Sequence, residues 1–381
     1  MTTRPYIIIV SSAPPTPCGL ATFTAALRRA LVHHGARVGI LRVTGDNDEA
    51  VTSEDELHTI GTLRGSSSEM MSHLRRQLDE ADLVLVQHEY GLYGGRDGED
   101  VLTLMRGVRT PMVAILHTVL PRPTPHQATV LNEVMRLADR VVVMTQAARA
   151  TVSEVFDSHG TDVVVIPHGG EVLVTPSASR RYSRPFLLTW GLLGPGKGIE
   201  WVIDALADLR DLQPAPLYVV AGRTHPKVLE REGERYRRSL ERRVIQRGVS
   251  EMVVFDDAYR SLGSLHQLID RADLVVLPYD STDQATSGVL VDAIAAGKPV
   301  VATAFPHAVE LLTPSAGLVV RHRSPRALSD ALRRALSEPE LLAAMTRGAR
   351  EQAPDLSWDR VAGAYMDVAH ELAAQSSAVG A

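Results

Sequence analysis

"DLVVLPYDSTDQATSGVLVDAIAAGKPVVA", Asp273 to Ala302, compresses a whole folding unit into one stretch. An apolar run ends near Tyr279, a polar loop follows, and a short apolar helix opens at about Gly288 and stops at Gly297 with Pro299 behind it. A second apolar run then begins. Gly followed by Pro is the ordinary way to end a helix. Both flanking runs are rich in Val and Leu throughout and do not alternate with polar residues. That is the pattern of strands buried on both faces, as in a parallel sheet covered by helices. The stretch reads as strand, helix and parallel strand.

The same alternation extends in both directions. From "YIIIVSS" (Tyr6 to Ser12) to "DVVVIPHG" (Asp162 to Gly169), strand-length apolar runs and amphipathic helical stretches follow one another. Residues 1–175 are expected to form one doubly wound α/β domain. "VTPSASRRYSRP" (Val174 to Pro185) is rich in Pro, Ser and Arg without periodicity, and places an interdomain linker at 176–186. The alternation restarts at "FLLTWG" and runs to "AGLVVR", giving a second domain of the same kind over 187–356. A last amphipathic helix occupies 357–381. Two domains also suit a chain of 381 residues, longer than one core usually supports.

Composition narrows the function classes. A net charge of −5 with 22% charged residues gives no basic field for nucleic acid. The locally basic "LEREGERYRRSLERRVIQR" (Leu229 to Arg247) mixes signs at helical spacing, as a solvated helix face does. One cysteine, Cys18, allows no internal disulfide and fits a reducing cytoplasm. The apolar runs fall short of the ~20 residues that cross a bilayer. "MTTRP" leads straight into a strand with no cleavable signal pattern, so a cytoplasmic location is expected. Peripheral membrane contact and a homodimer stay open.

Several stretches carry chemistry. A helix start exposes unpaired N–H groups and partial positive charge, and Gly288 has no Cβ to hold a ligand away, so the position suits a diphosphate. In "WGLLGPGKGIEWVIDAL" (Trp190 to Leu206), Lys197 sits among glycines, and "VVAGRTHP" adds Arg223. "SSAPPTPCGLATFT" runs from a strand through a Pro-rich loop to a helix opening near Gly19. No Gly-x-Gly-x-x-Gly follows that strand, which disfavours a nicotinamide enzyme. Cys18 reads as a small loop filler with no paired His. His88, His117 and His168 each end a buried run, where a doubly wound sheet holds its ligands. The chain lacks His-x-x-x-His, Cys-x-x-Cys and Asp-x-Asp pairs placed for a cation, so no metal is expected.

"SGVLVDAIAAGKPVVA" resembles the signature helix of the retaining glycosyltransferases of family 4. In that pattern two Glu, eight positions apart, flank a Gly-containing helix start; here Gln284 and Asp292 stand in their places. The resemblance implies the GT-B architecture, two Rossmann-like doubly wound parallel-sheet domains facing a cleft. It gives the sugar-hydroxyl contact to Gln284 or to its neighbour Asp283, and the ribose contact to Asp292. Thr286, Ser287, Gly288, Val289 and Leu290 line the donor. The Trp190 stretch resembles the family's Gly-Arg-Leu-x-x-x-Lys-Gly segment: Gly191, Lys197 and Gly198 match, but Leu192 replaces the Arg, leaving Lys197, with either the Gly194/Gly196 loop amides or Arg223, to face the pyrophosphate.

Gly19 would lie against the leaving phosphate. His117 would contact the transferred sugar, with His88 and Glu89 beside the acceptor pocket. The C-terminal helix would return to the first domain. The implied reaction moves a hexose, mannose or glucose, from a GDP- or UDP-sugar to a saccharide or small-molecule hydroxyl with retention and without cofactor. A phosphorylase, an epimerase and a sugar-nucleotide-binding subunit without turnover remain as alternatives, the last because of Leu192 and Gln284.

Overall fold

The computed structural model describes residues 4–16, 18–45, 58–63, 68–173, 183–258, 260–312 and 315–379. Of the expected linker, residues 176–182 lie outside these. The chain divides into two compact units, one of Met1–Gly169 with Trp358–Ala381 and one of Gly170–Ser357.

In the first unit seven strands form one sheet: β1 (Tyr6–Ser11), β2 (Arg37–Val43), β3 (Thr59–Leu63), β4 (Leu83–His88), β5 (Met112–Leu116), β6 (Arg140–Val143) and β7 (Val163–Val165), in the order β3-β2-β1-β4-β5-β6-β7. In the second unit β8 (Phe186–Trp190), β9 (Leu217–Ala221), β10 (Val253–Asp256), β11 (Leu274–Leu277), β12 (Val300–Thr303) and β13 (Gly317–Val320) form a sheet in the order β10-β9-β8-β11-β12-β13. Every pairing is parallel. The order reverses between β1 and β4 and again between β8 and β11. At such points the loops leaving the strand ends diverge and open a crevice.

The apolar runs explain the layering. In β8, Leu187 packs with Ile199, Val202 and Tyr218 on one face, while Phe186 and Leu188 pack with Leu290, Val291 and Ile294 on the other. Both faces of the strand are dry, which is why its sequence does not alternate. In the first unit Ile7, Ile8, Ile9 and Val10 are likewise fully buried.

The C-terminal helix (Trp358–Val379) belongs to the first unit. Val361, Ala362, Tyr365, Met366, Ala369 and Leu372 complete the core built on Ile7, Ile9, Phe23, Leu27 and Leu85. Trp358 packs edge-on against Phe23, 5.1 Å between ring centres. Gly169 lies so close to the Trp358 ring that a Cβ there would overlap it.

Tyr365 is completely buried, and its hydroxyl has no hydrogen-bond partner among the described residues. Truncation should therefore cost about 3–5 kcal/mol, whereas removing only the hydroxyl removes a desolvated group that gains nothing. Thermal and denaturant unfolding should show Tyr365→Ala strongly destabilised and Tyr365→Phe as stable as the parent or more so.

Candidate functional site

The second unit gathers the loops that follow β8, β9 and β11. After β8, Gly191 takes φ +119°, and a Cβ placed there would stand 3.8 Å from Val289 Cγ2. The β8 loop therefore runs beside the opening of the helix Gly288–Ala295. Gly198 takes φ +66°, and a Cβ on it would overlap the carbonyl of Pro278, so only glycine lets the loop press against the end of β11. The Asp280 amide donates to the Gly196 carbonyl at 2.9 Å, and Trp201 Nε1 donates to Asp280 Oδ1 at 2.8 Å. These bonds hold Lys197 over the ring of Tyr279, 4.6 Å from its centre. Burial lowers the Lys197 pKa, and no carboxylate pairs with its ammonium among the described residues.

Ser287 closes the helix. Its hydroxyl accepts the Leu290 amide at 3.3 Å and bonds to the Tyr279 hydroxyl, which burial holds at a pKa of about 12. Its own amide donates to His307 Nδ1 at 2.9 Å. The helix opens at Gly288, with Ser287 as its cap. One correction follows: the Leu290 side chain is fully buried and its amide is bonded to Ser287, so it offers neither to a donor. The amides of Gly288 and Val289 remain, beside Lys197's partner Tyr279 and the Gly191 loop.

The other expected donor residues are spread around this centre. Arg223 is exposed after β9, its Nε donating to the Asp257 carbonyl at 3.2 Å while its own carbonyl accepts the Leu193 amide at 2.8 Å. Gln284 Nε2 donates to the Thr286 carbonyl at 3.2 Å, which folds the amide into its own loop. Asp283 Oδ1 accepts from Thr282 at 3.0 Å. Asp292 is half-buried, and desolvation followed by the Glu171 carboxylate pushes its pKa up to about 7.

Sequence reasoning missed two histidines. His307 aligns the cap, and His225, whose pKa falls through burial and the nearby Lys227 and Lys197 charges, stands beside the ammonium. "GRTHP" and "AFPHAVE" place both just after strand ends, which was the available signal.

In the first unit the helix Gly19–His33 starts after β1, capped by Cys18, whose sulfur accepts the Ala21 amide at 3.4 Å. Cys18 is thus a cap as well as a filler. Gly19 is exposed and faces open space. His117 and His168 both pack edge-on against Phe23, 4.9 and 5.0 Å between ring centres. Burial, with the neighbouring His168 and His88, pushes the His117 pKa down to about 3, and its Nε2 has no partner. Neutral imidazole is the working form at ordinary pH.

The expectation that His88 lines an acceptor pocket is corrected. Its ring is 0% exposed, enclosed by sheet and by Tyr90 packed edge-on at 5.0 Å, so no acceptor touches it. It acts on His117 through the backbone, its carbonyl accepting the His117 amide at 3.1 Å. Glu89 is the half-buried neighbour, accepting Thr118 Oγ1 at 2.5 Å and the Tyr90 amide at 3.1 Å. Among the described residues no three His, Cys, Asp or Glu gather around a metal position.

This geometry can be set beside known proteins. Residues 17–171 match the family described as Glycosyltransferase Family 4, and residues 176–352 match Glycosyl transferases group 1. The chain belongs to the family 4 glycosyltransferases. D-inositol 3-phosphate glycosyltransferase of Corynebacterium urealyticum is 28% identical over 262 residues, 63% of this chain but only 58% of that protein's length. Sucrose-phosphate synthase from Thermosynechococcus elongatus superposes with a TM-score of 0.76 at 19% identity, covering 98% of this chain and 100% of the other. Anabaena HepE in complex with UDP-glucose gives 0.72 at 18%, covering 97% and 100%. The fold of this family 4 chain is therefore GT-B.

Asp292 loses its proton near pH 7, so a ligand hydroxyl that bonds to its carboxylate should be held more tightly as pH rises from 6 to 8. Calorimetric titration with a nucleoside diphosphate sugar should show this slope, and Asp292→Asn should flatten it. Without ligand the sign reverses. The raised carboxyl binds its proton more tightly folded than unfolded, so its contribution makes stability fall as pH rises from 3.8 towards about 7, and Asp292→Asn should remove that fall.

Proposed function

We propose that this protein transfers a hexosyl group, mannose or glucose, from a nucleoside diphosphate sugar to an acceptor hydroxyl, with retention of anomeric configuration. One observation carries the reading. Among the described residues Lys197 is a half-buried cation without a paired carboxylate, placed on Tyr279 beside the capped helix whose first amides, Gly288 and Val289, have no acceptor. Charge in such a transfer develops on the departing diphosphate, and fixed donors aimed there contribute about 3 kcal/mol each.

Asp292 is suited to the ribose, and Arg223 to the outer face of the diphosphate. Gln284 and Asp283 share the sugar hydroxyls. Gly19 leaves room for the phosphate at the first unit's helix start, and neutral His117 faces the transferred sugar as a hydrogen-bonding group. With no pair of carboxylates in glycosidase roles, the leaving phosphate itself takes the acceptor proton. HepE is described with UDP and UDP-glucose, which supports a nucleotide-sugar donor, and the inositol-phosphate, sucrose-phosphate and trehalose-phosphate enzymes supply acceptor classes to test. A cytoplasmic location and independence of metal belong to the same proposal.

Release of nucleoside diphosphate from GDP-, UDP- and ADP-sugars over a panel of acceptors tests it, with product configuration read by NMR. Lys197→Ala should lower kcat by about 100-fold or more while leaving unfolding unchanged. Parental turnover in that variant would place the diphosphate elsewhere. His117→Ala should slow transfer more than it weakens nucleotide binding; equal losses would make it structural. Tight donor binding with no turnover on any acceptor, or a strict need for inorganic phosphate, would favour a binding subunit or a phosphorylase.

A further inference from the structure

The second unit holds a cavity of about 450 Å³ that the mechanism does not use. Glu200, Tyr236, Ser239, Arg243, Asp280 and Arg323 form its polar wall, contributed by the helices Ile199–Leu206 and Arg235–Arg247 and by the loops after β11 and β13. Lys197, Gly288, Val289 and Asp292 are not among its walls. Its volume falls within the range of small-molecule pockets, roughly 300–1,000 Å³.

The wall is fixed by its own bonds. The Tyr236 hydroxyl donates to Glu200 Oε2 at 2.8 Å, and Arg243 Nε donates to Asp204 Oδ1 at 2.6 Å. Trp201 Nε1 donates to Asp280 Oδ1 at 2.8 Å, and Arg323 Nε approaches the same oxygen at 3.4 Å. Each of the two lining carboxylates is thus engaged through one oxygen, and among the described residues the other is left for an occupant. Arg323 takes φ +53°, a left-handed backbone that a residue with a side chain adopts only where its surroundings impose it. Its neighbours do so: His322 Nδ1 donates to the Tyr279 carbonyl at 2.8 Å, and Arg321 Nε donates to Ser324 Oγ at 2.9 Å.

Charge selects the occupant. An anion entering the cavity meets Glu200 and Asp280, and a cation meets Arg243 and Arg323. Neutral hydroxyl groups suit both, because they donate to carboxylates and accept from guanidinium groups. Pro195, Leu240 and the Tyr236 ring add apolar surface for C–H groups. The cavity also shares a wall with the donor centre. Gly196 lines it, and the Gly196 carbonyl accepts the amide of Asp280, one residue beyond the Tyr279 ring on which Lys197 lies.

We infer that this cavity is a regulatory site for a neutral saccharide, separate from the donor centre, whose occupant stiffens the loop that carries Lys197. Its effect on turnover rests on the glycosyl-transfer reading; the site itself does not.

Trehalose is a suitable probe, followed by ligand-observed NMR at fixed ionic strength without nucleotide sugar. It should bind saturably, and more tightly than the charged sugars glucose 6-phosphate and glucosamine. Glu200→Gln keeps an acceptor for Tyr236 but removes the carboxylate, and Arg323→Asn tolerates the left-handed backbone but removes the guanidinium. Each should weaken trehalose by about tenfold. Ser239→Trp, which fills the cavity, should abolish binding, and Lys197→Ala should leave it unchanged. Tighter binding of a charged sugar, binding indifferent to these cavity variants, or no binding overturns the site.

Trehalose should also slow amide hydrogen exchange across residues 194–201 in the parent but not in Ser239→Trp; binding without that slowing overturns the coupling. With a competent donor and acceptor, trehalose should raise kcat in the parent and leave Ser239→Trp indifferent. A parental kcat indifferent to trehalose overturns the regulatory role. Cavity-dependent binding and slowed exchange in a protein that consumes no nucleotide sugar would leave the saccharide site standing and remove the transfer reading.

Discussion

An ammonium with no paired carboxylate among the described residues organises the second unit. Lys197 lies on the face of Tyr279, half out of water, where a charge is costly without an opposite partner. The protein tolerates this because the loop carrying Lys197 is fixed on both sides, by the Gly198 contact with Pro278 and by the Asp280 bonds to Gly196 and Trp201. The same Tyr279 bonds Ser287, so the cation and the helix mouth are parts of one rigid assembly. Preorganisation of this kind is what a reaction with a developing diphosphate requires, since no donor needs to reorient when the charge appears.

The first unit treats its titratable groups in the opposite way. His117 and His168 pack on Phe23, His168 also meets Trp358, His88 packs on Tyr90, and burial keeps all three rings neutral. A neutral imidazole can donate one hydrogen bond and accept another without attracting counter-ions. Glu89, tied to Thr118 and to the Tyr90 amide, adds an anion next to His117, while Arg42 and the Gly19 helix place positive potential at the neighbouring strand ends. Charge of each sign is thus assigned to a separate loop.

Much of this was legible before any coordinates. Unbroken Val, Ile and Leu runs announced parallel strands because dryness on both faces removes alternation, and the glycines around Lys197 and before Val289 marked close backbone approach. What stayed hidden depends on partners far apart in the chain. That the Ser287 hydroxyl takes up the Leu290 amide, while the Leu290 side chain is fully buried, follows from packing around Tyr279 and His307. That His88 is sealed follows from Tyr90 folding back onto it. Cys18 as a cap rests on a local bond three residues on, which hydrophobic periodicity does not record.

Residues 358–379 supply one wall of the core that begins at Ile7. A ribosome delivers the chain from its N-terminus, so the sheet of the first unit emerges long before the helix that covers it. Ile7, Ile9 and Leu85 must wait, partly exposed, while the whole second unit is made. The second unit can form on its own contacts, whereas the core of the first is completed only once residues 358–379 have left the exit tunnel.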